Sequence, residues 1–110
     1  MTQLNELKTE QDWNDLYEQS QQKKVLLFKH STQCPVSAEA FEEFQAFVEE
    51  NSDHTYAYVK VIESRPVSNQ IAEDLNTVHK SPQLFILENK EVKWTESHWN
   101  IKKKTIAEVI

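Results

Sequence analysis

The stretch FKHSTQCPVSAEAF, residues 28–41, holds the only cysteine of the chain, Cys34. Thiol chemistry runs through the thiolate, so what matters is where that sulfur sits. Cys34 follows an apolar run and directly precedes Pro35, with Ser37 three positions on. Proline suits the first position of a helix, where its missing N–H would be unpaired anyway. Cys34 then falls at the N-cap, beside the free N–H groups of Val36 and Ser37 and the positive end of the helix dipole. Ser37 lies one turn on, and its hydroxyl is expected to donate to the thiolate. In C-x-x-C sites the fourth residue is a second sulfur that resolves a mixed disulfide; here that residue is Ser37. A lone sulfhydryl can accept a group and pass it only to a thiol from outside. The competing reading is a buried, inert cysteine acting as a small hydrophobe.

Pro82 is the second candidate. Proline in a sheet belongs at a strand start or an edge. Lys80-Ser81-Pro82 leads into an apolar strand expected to neighbour the one before Cys34, which sets Pro82 beside the thiol. A cis Ser81–Pro82 bond would turn the Ser81 backbone toward the sulfur, ready to pair with an extended segment or a small peptide-like thiol. His30, four residues before Cys34, suits a base, a charge partner or a plain strand-end residue. His54, His79 and His98 show no metal spacing, and one cysteine excludes the usual structural zinc sites, so no metal ligand is assigned. Trp13, Trp94 and Trp99 read as packing residues.

These residues need elements to position them. Thr9-x-x-Asp12 reads as a helix cap, followed by Trp13, Leu16 and Tyr17 on one face to about Gln22. Lys24 to His30 reads as a buried strand, and Cys34 to about Glu50 as a helix burying Phe41, Phe44 and Phe47/Val48. Thr55 to Ile62 is a second strand. A helix from Ser64-Arg65-Pro66 has the stripe Val67, Ile71, Leu75 and Val78. Strands Gln83–Leu87 and Glu91–Thr95 follow, joined by Asn89-Lys90, where asparagine tolerates a positive φ. The last helix starts near Lys102 and is expected to bury Ile106 and Val109/Ile110. Residues 1–8 are polar and expected to be loosely held.

The order α-β-α-β-α-β-β-α predicts two parallel strands joined through a right-handed crossover and a C-terminal antiparallel hairpin. Helices then cover both faces of a four-stranded mixed sheet, an α/β class with the layout of the thioredoxin fold. The 110 residues are expected to form a single domain. There is no glycine, which excludes a P-loop and a G-x-G-x-x-G site. The net charge of −6, with Lys102-Lys103-Lys104 as the only basic cluster, argues against nucleic acid. MTQLNELKTEQDW lacks the apolar core of a signal peptide, and no apolar run is long enough to span a membrane. A cytoplasmic protein with a reduced thiol is expected.

Residues 29–37, K-H-S-T-Q-C-P-V-S, resemble the T-C-P-I-S motif of the YtxJ-like monothiol bacilliredoxins. S-P-Q-L-F at 81–85 and E-S-H-W-N-I at 96–101 extend the likeness over nearly the whole chain. Gln33 and Val36 depart from it slightly, and Lys102 stands where a threonine cap is expected. The resemblance implies a thioredoxin-like redox protein of bacillithiol-using Firmicutes, active in the stress response, that takes bacillithiol off S-bacillithiolated client proteins. Cys34 would be the catalytic nucleophile. Pro35, Ser37 and Thr32 would shape the site, and Ser81 and Pro82 would hold the substrate. Bacillithiol would be a co-substrate, with no tightly bound cofactor. Two other readings stay open. One is a module that shares an iron–sulfur cluster across a dimer with glutathione, a role for which Pro35 stiffens a position commonly glycine. The other is a redox-inactive thioredoxin-like interaction protein.

Overall fold

The computed structural model describes residues 4–51 and 53–110. In chain order the elements are β1 (Leu4–Glu6), α1 (Glu10–Gln19), β2 (Val25–His30), α2 (Pro35–Glu50) and β3 (Thr55–Lys60). They continue with α3 (Arg65–Asp74), β4 (Gln83–Glu88), β5 (Glu91–Ser97), a 3-10 turn (His98–Asn100) and α4 (Lys103–Val109). The strands form one mixed sheet in the order β1-β3-β2-β4-β5. β2 runs parallel to β3 and antiparallel to β4, and β4 and β5 form the antiparallel hairpin.

The sheet therefore has five strands, which corrects the expected four. The added strand, β1, pairs in parallel with β3 through Leu4↔Tyr56 to Glu6↔Tyr58. It lies in the segment read as loose. Three mostly polar residues carry no readable period, and the exposed edge of β3 supplies the pairing that their sequence does not advertise. Leu7 follows and is buried in the core. Residues 1–3 of that segment lie outside the described residues.

The sheet separates two apolar clusters. α1 and α3 cover one face, over Val25, Leu27, Ala57, Val59, Phe85 and Leu87. α2 and α4 cover the other, over Leu26, Phe28, Tyr56, Leu84 and Ile86. Alternate residues of β2 thus serve opposite layers, as strand geometry requires.

Local signals explain most element ends. Thr9 Oγ1 accepts from the Asp12 N–H at 3.1 Å and the Asp12 carboxylate accepts from the Thr9 N–H at 3.1 Å, a reciprocal cap. Asn89 and Lys90 both take positive φ, 54° and 63°, the geometry of a two-residue hairpin turn. Two core assignments are corrected. Val78 is 79% exposed, because α3 stops at Asp74 and Asn76 turns the chain at φ 50° before Val78 can join the stripe. Val109 is 38% exposed at the last position of α4, while Ile106 is buried and Ile110 packs against the same cluster. Among the described residues no helix is long and apolar enough to cross a membrane.

Candidate functional site

Cys34 is the N-cap of α2, in extended backbone (φ −111°, ψ 121°), with Pro35 in the first turn. The thiol is free and half-buried. The Cys34 N–H donates to the Ser31 carbonyl at 3.2 Å, and the Cys34 carbonyl accepts from the Ala38 N–H at 3.0 Å. These bonds fix the loop and the first turn around the sulfur. The side chain itself makes no capping bond, whereas the sequence places the sulfur by the Val36 and Ser37 N–H groups. A thiol sulfur is a weak acceptor, so the cap rests on the backbone.

Ser37 corrects a second expectation. Its hydroxyl is fully buried and turned to the strand, not to the sulfur: Oγ accepts from the Ser31 N–H at 2.8 Å and meets His30 Nδ1 at 2.8 Å. Burial holds His30 below its ordinary pKa, against a smaller upward pull from Glu63. Ser37 Oγ thus bridges the Ser31 N–H and the His30 ring. The ring is stacked on Phe41 at 4.4 Å between centroids. His30 thus anchors the start of α2 to the end of β2.

Thr32 lies on the exposed loop before Cys34. Its Oγ1 donates to Glu63 Oε2 at 2.9 Å, tying that loop to the one after β3, and this bond leads in holding the Glu63 carboxyl low. The parallel strands bring these loops together: His30 pairs with Lys60, and the Val61 N–H donates to the His30 carbonyl at 2.9 Å.

The second half of the site comes from β4. The Ser81–Pro82 bond is cis. Lys29 pairs with Gln83, so Pro82 stands at the end of β2 from which the Cys34 loop departs. The Pro82 carbonyl accepts from the His98 N–H at 3.1 Å, and His98 takes φ 57° to present it. Ser81 Oγ is buried and has no hydrogen-bond partner among the described residues.

The topology thus gathers Cys34, Pro35, Ser37, Thr32, Ser81 and Pro82 at one end of the sheet, joined by His30 and Glu63. Glu63 carries no sequence signal, since it stands in a surface loop far from the thiol in the chain. His30 was visible as a candidate, but its partner was not.

Comparison with known proteins agrees with this geometry. The sequence pattern of the monothiol bacilliredoxin BrxC family matches residues 5–106. A solved thioredoxin-fold protein proposed to be an oxidoreductase is 32% identical, with a TM-score of 0.87, covering 96% of this chain and 92% of that one. The Schistosoma mansoni thioredoxin pre-protein is 23% identical (TM-score 0.77, covering 99% and 100%). The Nicotiana alata thioredoxin NaTrxh is 15% identical (TM-score 0.79, covering 97% and 89%). The last two share the fold. The chain belongs to the monothiol bacilliredoxin family, has the thioredoxin fold, and fits a thiol redox function.

Proposed function

We propose that this family member is a one-cysteine thiol–disulfide exchange enzyme that removes bacillithiol from S-bacillithiolated client proteins in the cytoplasm. The observation that carries this reading is the placement of the only sulfhydryl. Cys34 caps α2, half-buried, at the same end of the sheet as Ser81 and the cis Pro82.

Each step exchanges one S–S bond for another. The Cys34 thiolate attacks the bacillithiol sulfur of the mixed disulfide. The S–S bond to the client breaks, the client leaves as its thiolate, and Cys34 carries bacillithiol in a new S–S bond. A second bacillithiol thiolate attacks the adduct, frees Cys34 and departs as bacillithiol disulfide. Pro35 stiffens the turn, Ser37 locks it to His30, Thr32 tethers the preceding loop, and Ser81 with Pro82 holds the incoming chain.

The test is to mix the protein with an S-bacillithiolated protein at neutral pH and record intact masses over time. The client is expected to lose its adduct while Cys34 gains one, and Cys34→Ser is expected to do neither. A client mass that stays constant with the wild-type protein would sink the reading.

A further inference from the structure

Lys29, the next-to-last residue of β2, is completely buried on the face covered by α1 and α3. Its Nζ donates to the Ser68 carbonyl on α3 at 3.0 Å and to His79 Nδ1 at 3.2 Å, and lies 6.0 Å from the Phe85 ring centre. Among the described residues it forms no salt bridge. The groups around it are Ser68 from α3, His79 from the loop before β4, Gln83 from β4 and Val59 from β3, with the Arg65 charge acting on His79. Burial lowers Lys29 to about 8, and burial with the Lys29 and Arg65 charges keeps His79 low. An ammonium buried without an anion works against the fold. An unbranched apolar side chain would fill the same space at lower cost, so packing gives no reason for the lysine.

Its contacts give one. His79 belongs to residues 76–82, the segment that ends in Ser81 and Pro82. Gln83 sits opposite Lys29 in the β2–β4 pair, so the two side chains share a face. Gln83 is also buried, and it reaches into the same segment. Its Oε1 accepts from the Lys80 N–H at 3.1 Å and its Nε2 donates to the Val78 carbonyl at 3.4 Å. Two adjacent buried polar side chains therefore grip Val78, His79 and Lys80 in succession. The ammonium has only donors, so His79 Nδ1 must accept, and the Ser68 hydroxyl lies 3.4 Å from the same nitrogen.

We infer that Lys29 is a positioning residue for exchange at Cys34: through His79 it holds the segment that presents Ser81 and Pro82 to the incoming disulfide. The consequence for exchange rests on the proposed function; the hold on His79 does not.

The test combines NMR and kinetics on the whole protein. In the wild type, His79 is expected as the Nε2–H tautomer in imidazole 15N spectra; a predominant Nδ1–H form overturns the inference with no variant needed. In Lys29→Met, that preference is expected to be lost and the amide signals of residues 78–82 to move. KM for a bacillithiol–protein mixed disulfide is expected to rise about tenfold with kcat within about twofold, the signature of a lost hold on substrate. Alkylation of Cys34 by iodoacetamide, which needs no hold on the segment, should stay within about twofold. His79→Leu should reproduce the KM change, and the double variant should add nothing. Unmoved 78–82 signals, an unchanged KM or simple additivity each overturn the inference. If the wild type does not exchange with the mixed disulfide, the functional reading fails, while the tautomer and amide signals still decide whether Lys29 holds the segment.

Discussion

His30 and Lys29 are neighbours in β2 yet serve opposite layers in opposite electrical states. His30 faces α2, stacked on Phe41, a neutral ring whose Nδ1 is filled by Ser37. Lys29 faces α3, a cation with a carbonyl and a neutral ring for company. Each fixes one half of the site: His30 the helix that starts at Cys34, Lys29 the segment that ends at Pro82. The difference shows two ways to place a functional group. One uses a matched pair that also supports the fold. The other holds a loop at the fold's expense, as sites often do.

That contrast predicts opposite signs. The largest effect belongs to Lys29. Moving from an ordinary value of 10.5 to about 8 corresponds to roughly 3 kcal/mol at about 1.4 kcal/mol per unit. Between those values the unfolded chain binds more protons than the folded one, so this group makes stability rise with pH across the window. Below about 8 its cost is complete. In denaturant titrations the wild-type curve should therefore rise relative to Lys29→Met between pH 8 and 10.5, and at pH 7 the variant should be the more stable protein. Parallel curves would break the comparison.

Ser37→Ala comes next, with the other sign. It leaves the half-buried Ser31 N–H without its partner and His30 Nδ1 unfilled, so a loss of about 2 kcal/mol is expected. Calorimetry should show Tm lower by roughly 10 °C. A change below about 2 °C would mean that the His30 lock carries no weight. Thr32→Ala is the smallest. Its bond to Glu63 is exposed, so a stability change within about 0.5 kcal/mol is expected by the same titration, and a larger one would give the two loops a role not assigned to them.

Much of this arrangement was legible in the sequence because single residues announced it. Pro35 marks the start of α2 and so puts Cys34 at its cap; Thr9 with Asp12 marks α1; Asn89-Lys90 marks the hairpin. Pro82 at a strand start followed from its missing N–H. What stayed hidden depended on partners distant in the chain. β1 exists because β3 offers an edge. Ser37 was placed on the correct turn, but spacing cannot say that Ser31 and His30 outcompete the sulfur for its hydroxyl. Lys29 reads as the polar end of an apolar strand, and only α3 and the segment before β4, closing over it, make it a buried cation. Val78 kept the helical period on paper, yet α3 had already ended at Asp74.

Among the described residues four take positive φ, Asn76, Asn89, Lys90 and His98, in a chain with no glycine. Glycine would take those conformations freely, whereas a residue with a Cβ is strained there by about 1 kcal/mol or more. Glycine would also widen the denatured ensemble, and that freedom would be lost at every folding event. The chain thus places its turn strain in the native state, with Asn76 and His98 on either side of the β4–β5 hairpin that Pro82 leads into. What it gains is a narrower set of unfolded conformations from which to find one sheet.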